Sequence, residues 1–98
     1  MSSIYVGQTD LKIRLTTGRV KQVGDVAEIH YKKPTGKTGF FPATFYDDAK
    51  GIIEYTVQSD TDIDKDGMWL FWAKITDASN KISIGEATNR YIKKIGEI

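Results

Sequence analysis

Gly67-Met68-Trp69-Leu70-Phe71-Trp72-Ala73-Lys74-Ile75 holds both tryptophans and the densest apolar run of the chain. The run is too short and too aromatic for an ordinary surface helix. Read as a strand, it sets Trp69, Phe71, Ala73 and Ile75 on one face and Met68, Leu70, Trp72 and Lys74 on the other. A half-buried antiparallel strand alternates apolar with polar residues. This one is apolar on both faces. One face belongs to a core, and what covers the other is the question that bears on function.

Outward from this strand, the chain reads as short strands separated by turns. Upstream, Ile4-Tyr5-Val6 is a brief strand, and Leu11-Lys12-Ile13-Arg14-Leu15-Thr16-Thr17 alternates cleanly, with Leu11, Ile13 and Leu15 inward. Residues 18–24 form a polar connection with room for an edge strand over 19–23. Residues 25–33 form a strand with Ala27, Ile29 and Tyr31 on one side and Val26, Glu28 and His30 on the other. Pro34-Thr35-Gly36-Lys37-Thr38-Gly39 is a turn by composition. Phe40-Phe41-Pro42-Ala43-Thr44-Phe45-Tyr46 follows, and Pro42 confines it to an edge or a bulge. A hairpin loop at residues 47–51 leads to a strand over 52–57 that carries Ile53, Tyr55 and Val57. Downstream of the central run, Asp77-Ala78-Ser79-Asn80 turns the chain, residues 81–84 resume a strand, and residues 87–95 complete a last one.

About seven short strands, turn signals every 8–12 residues and no helical period predict an all-β fold, an antiparallel β-sandwich or small barrel. The 98 residues make one domain with one core. Its expected members are Trp69, Phe71, Ile75, Ile53, Tyr55, Ile29, Tyr31, Ile13 and Leu15. With no cysteine, disulfides, thiolate metal sites and a cysteine nucleophile are excluded, and Trp69 must pin the sandwich by packing.

Composition narrows the function. A net charge of +1 gives no general field for nucleic acid or an anionic membrane. The best basic cluster, Lys32, Lys33 and Lys37 beside Phe40 and Phe41, gathers at one hairpin and forms no stripe. No apolar run approaches the ~20 residues that span a bilayer. The first residues lack the basic-then-apolar order of a secretory signal. His30 is the only histidine, which rules out a histidine-based triad or multi-histidine metal site and leaves a surface histidine beside Glu28. Paired acids occur in loops without an apolar pocket to separate their pKa values, so no enzyme and no cofactor are expected. Gly36-Lys37-Thr38 has the end of a phosphate-binding loop, but Tyr31 stands where its first glycine belongs.

Asp60-Thr61-Asp62-Ile63-Asp64-Lys65-Asp66-Gly67 is the sharpest motif. From Asp62 it opens like an EF-hand loop, which makes Asp62, Asp64 and Asp66 candidate calcium ligands. The glutamate required at position 12 falls on Ala73, inside the central strand. The alternative is an acidic lid with Ile63 as its apolar plug. Charge divides along the chain: residues 1–46 hold seven Lys/Arg and three Asp/Glu, whereas residues 47–66 hold two and seven. The outer face of the predicted sheet collects Val26, His30, Leu70, Trp72 and part of the last strand, with Phe40 as a second exposed aromatic. An exposed patch containing Trp and Leu is typical of an interface core.

Val6-Gly7-Gln8-Thr9, Lys33-Pro34-Thr35-Gly36, Phe41-Pro42-Ala43-Thr44, Gly51-Ile52-Ile53-Glu54-Tyr55-Thr56, Asp62-Ile63-Asp64 with Gly67-Met68-Trp69, and Ile84-Gly85-Glu86 together resemble the small immunoglobulin-like sandwich proteins of tailed-bacteriophage virions. The resemblance runs over nearly the full chain, and its motifs are turns and core aromatics. It departs in the last strand, which Asn89, Arg90, Lys93 and Lys94 make more polar. The resemblance implies an immunoglobulin-like antiparallel β-sandwich of about seven strands and a non-enzymatic virion component, assembled in the bacterial cytoplasm, that docks to other structural proteins of the particle or to copies of itself. Leu70, Trp72, Phe40 and Val26 are the expected contacts. A carbohydrate-binding or adhesin-like module, stacking sugars on Phe40, Tyr46 and Trp72, is the alternative.

Overall fold

The computed structural model describes residues 4–9, 11–59, 61–85 and 87–94. These residues form an all-β fold of eight strands: β1 (Ile4–Tyr5), β2 (Lys12–Thr16), β3 (Val26–Lys32), β4 (Thr38–Asp47), β5 (Ile52–Thr56), β6 (Gly67–Thr76), β7 (Ile82–Ile84) and β8 (Thr88–Lys93). They pair in the order β1-β8-β6-β3-β4-β5-β2, and β7 adds to β6.

One long strand makes this sheet curl into two layers. The first half of β4 pairs with β3 from Lys32↔Thr38 to Ala27↔Ala43. Its second half pairs with β5 through Thr44↔Glu54 and Phe45↔Ile53, with a register shift before Asp47. The chain thus passes from a larger sheet (β1, β8, β6, β3, β4, with β7) to a smaller one (β4, β5, β2). Pro42 lies where β4 is the outermost strand of the larger sheet, the placement its missing N–H requires. β2, β5 and part of β4 make one layer, and β3, β6 and β8 belong to the other. One feature departs from the expected antiparallel sandwich of about seven strands: β1 runs parallel to β8 through Ile4↔Ile92 and Tyr5↔Lys93.

The alternation of β6 sets the core. Trp69, Phe71, Ala73 and Ile75 are buried on one face, against Ile13, Ala27, Ile29, Phe41, Ile53, Val57 and Ile92. Of the predicted core, Trp69, Phe71, Ile75, Ile53, Ile29 and Ile13 are buried, and Tyr55, Tyr31 and Leu15 pack against them half-buried. A chain of rings ties the layers together. Phe71 stacks on Trp69, Trp69 meets Tyr31 at 5.4 Å between centroids, Tyr31 meets Phe41 at 4.8 Å, and Phe41 stacks on Tyr55 of the smaller sheet at 4.5 Å. The indole Nε1 of Trp69 donates to the Lys65 carbonyl at 2.9 Å, so its one polar atom is satisfied while the ring is fully buried.

Residues 19–23 do not form the edge strand that the sequence allowed. The Arg19 side chain turns to the buried carboxylate of Asp25, at 3.0 and 3.3 Å, and Val23 stands 96% exposed. The segment is a loop pinned by an ion pair. The last strand is shorter than expected, Thr88–Lys93, and its predicted end at Ile95 lies outside the described residues. Gly51 closes the β4–β5 turn with φ +67°, and a Cβ there would strike the Arg19 carbonyl and the Thr17 hydroxyl.

Candidate functional site

The outer face of the larger sheet is the candidate site. Register aligns three rings across three strands: His30 of β3 is paired with Phe40 of β4 on one side and with Trp72 of β6 on the other. His30 stacks on Phe40 at 5.3 Å between centroids, 24° from parallel, and on Trp72 at 5.9 Å and 25°. Paired residues of neighbouring strands share a face, so the three rings form a row across the sheet. His30 Nε2 lies 2.9 Å from Glu28 Oε1, and Lys74 Nζ stands 4.0 Å from that oxygen. The sequence pairing of Glu28 with His30 thus acquires a lysine neighbour.

Further apolar side chains frame this row. Lys32↔Leu70 flanks it on one side, and Met68 and Tyr91 are paired beyond Leu70. On the other side, Glu28↔Lys74 continues into Ile84, and Val26↔Thr76 into Ile82. Phe40 is 52% exposed, Val26 58% and Ile84 66%, and Met68, Ile82 and Tyr91 are exposed in the same range. Leu70 and Trp72 are half-buried. The structure therefore brings Leu70, Trp72, Phe40 and Val26 onto one face. Phe40 was expected as a separate contact at a hairpin; it belongs to the same patch because β4 pairs in register with β3.

The sequence reading assigned part of the last strand to this face without naming Tyr91, and it left Ile82 and Ile84 out. The short β7 carried no recognisable alternation, and Tyr91 sits in a strand dominated by polar residues. Met68 was legible as a neighbour of Leu70 and Trp72 by period alone.

The three aromatics proposed as a sugar platform do not share a surface. Tyr46 lies in the second half of β4, on the smaller sheet, and the Arg14 guanidinium covers its ring at 3.8 Å from the centroid. Phe40 and Trp72 each turn one ring face toward His30.

The acidic loop arranges its carboxylates apart. Asp62 accepts from the Tyr55 hydroxyl at 2.6 Å and from the backbone N–H groups of Gln58 and Ser59. Asp64 pairs with Lys33 at 2.8 Å. Burial pushes the Asp64 carboxyl up, but the hydrogen bond and charge of Lys33 outweigh it and leave the group below its ordinary value. Burial and then the bond to Asp62 push the Tyr55 hydroxyl up to about 12. Asp62, Asp64 and Asp66, the candidate calcium ligands, therefore do not converge. Among the described residues, no group of three or more His, Cys, Asp or Glu side chains is placed to hold a metal ion. Ile63 is fully buried, and its carbonyl accepts from the Gly7 N–H at 2.8 Å. The loop is a lid closed by an apolar plug.

A scan against protein-family models and a search of the curated proteins find no match. Among solved structures, CopC from Methylosinus trichosporium OB3b aligns with 100% of this chain and 90% of its own, at a TM-score of 0.56 and 14% identity. The likeness is one of fold. It supports an all-β, sandwich-like architecture and leaves function to the residues of the face itself.

Proposed function

We propose that this chain is a non-enzymatic assembly module of a tailed-phage particle, and that it docks to another structural protein of that particle through the outer face of the larger sheet. The observation that carries this reading is the Phe40–His30–Trp72 row, with exposed Val26, Met68, Ile82, Ile84 and Tyr91 around it. Large aromatics at the centre of an exposed apolar patch are the usual anchors of protein–protein association. Lys32, Lys74 and Lys93 lie on the strands beneath, and Glu28 is engaged by His30 and Lys74. A polar rim of this kind orients a partner while the apolar centre supplies the affinity.

The phage assignment draws on the sequence resemblance, and the turns that carry it occupy structural positions. Lys33-Pro34-Thr35-Gly36 forms the β3–β4 turn, closed by Gly36 N–H to the Lys33 carbonyl. Asp62-Ile63-Asp64 forms the lid. The test is particle assembly in host cells that supply Trp72→Ala in place of the native chain. Losing a central aromatic anchor costs about 2 kcal/mol, roughly 30-fold in affinity. The variant is expected to fold, by circular dichroism, and to be depleted from purified particles. Incorporation at the native level would remove the proposal.

A further inference from the structure

A second surface lies at the far edge of the smaller sheet. β2 ends the strand order, and among the described residues nothing pairs with its outer side. The pattern of its inner bonds fixes which groups face out. Thr17 N–H donates to the Gly51 carbonyl, and Val57 N–H donates to the Leu11 carbonyl, so the odd-numbered residues bond to β5. By alternation, the N–H and C=O groups of Lys12, Arg14 and Thr16 point away from the sheet. These six groups form a ready template for another strand.

A groove runs along this edge. Its first part, a cavity of about 520 Å³, is lined by Leu11, Ile13 and Phe71, with Lys12 and Arg14 on one bank and Arg90 on the other. Its second part, about 510 Å³, continues past Leu15, Ala73, Gly85 and Thr88. Arg14 and Thr88 border both parts, so the groove spans the length of β2, about 17 Å at ~3.4 Å per residue.

The geometry points to β2 as an acceptor edge for an extended segment of a partner protein in which apolar residues alternate with acidic ones. Side chains of an added strand would fall alternately beside Ile13 and Leu15, over the apolar floor, and beside Lys12 and Arg14, on the outer face. The first set calls for apolar residues and the second for carboxylates. Among the described residues, Glu54 of the neighbouring strand engages Arg14. The same charges argue against a second copy: a two-fold antiparallel pairing about Arg14 sets Arg14 against Arg14, and like charges directly opposite destabilise a strand pair.

The experiment is amide hydrogen exchange by NMR on the full chain, with a capped seven-residue peptide alternating valine and glutamate as the probe. Saturating peptide is expected to slow exchange at the Lys12, Arg14 and Thr16 amides by about tenfold or more. A peptide alternating valine and lysine is expected to leave them unchanged. Arg14→Pro removes an outward N–H and no inner ladder bond, so it is expected to abolish peptide protection. Should that variant unfold, the Lys12→Glu, Arg14→Glu double variant tests the same edge, with an expected loss in affinity of about tenfold or more. Unchanged exchange at the three amides, equal protection by the lysine peptide, or protection confined to the face around Trp72 would each overturn the proposal.

Discussion

Ile63→Ala is the substitution that most sharply separates a plugged lid from a metal loop. The side chain is fully buried, although it belongs to a connection between strands. Truncating a buried isoleucine to alanine costs about 2–5 kcal/mol, depending on how far the surroundings collapse. Here collapse is restricted on both sides of the residue. Asp62 is held by Tyr55, Asp64 by Lys33, and the Ile63 carbonyl by Gly7. A loss of about 3 kcal/mol follows. For a domain of this size each kcal/mol shifts the melting temperature by about 4–8 °C, so the variant should melt about 12–24 °C lower. Thermal unfolding followed by circular dichroism measures this, and urea unfolding with an unchanged slope checks that the denatured state is the same. A drop below about 4 °C would refute the plug. A melting temperature that rises with calcium and falls with chelator would return the loop to a metal site.

Two further predictions concern residues that the fold holds tightly. Tyr55 is pushed up to about 12, above its unfolded value of 10, so its contribution to stability is complete below pH 10 and is lost as pH rises from 10 through 12. Alkaline titration of tyrosine absorbance should show a late-titrating component that disappears in Tyr55→Phe; a titration curve whose late part is unchanged in that variant would contradict the Tyr55–Asp62 bond. Asp25→Ala should cost about 2 kcal/mol, because the carboxylate is fully buried and takes two bonds from Arg19. In a double-mutant cycle with Arg19→Ala the two losses should couple, and simple additivity of the melting data would show that the pair does not hold the loop.

Much of the fold was legible because strand periodicity is local. The alternation in residues 11–17 and 67–75 alone placed Ile13, Leu15, Trp69, Phe71 and Ile75 in the core. The turn at Gly51 was legible for the same reason, since a left-handed glycine leaves a local signature. Strand pairing is not local. Nothing near Phe40 states that it will lie opposite His30, or that His30 will lie opposite Trp72; that follows from two registers set by the whole sheet. The parallel β1–β8 pair and the passage of β4 between layers escaped for the same reason. At residues 19–23 the polar connection left room for an edge strand, but the reach of Arg19 to Asp25 folds it as a loop. In the acidic loop the carboxylate spacing was visible, whereas the partners that pull Asp62 and Asp64 apart come from β5 and the β3–β4 turn.

The proposed docking face is tested most directly by oxidative footprinting of the chain, free in solution and within purified particles. Met68, Trp72 and Phe40 should react readily in the free protein and be protected in the particle by about tenfold or more, while Tyr46, on the opposite sheet, keeps its reactivity. Equal oxidation of Met68 and Trp72 in both states would contradict an interface on this face.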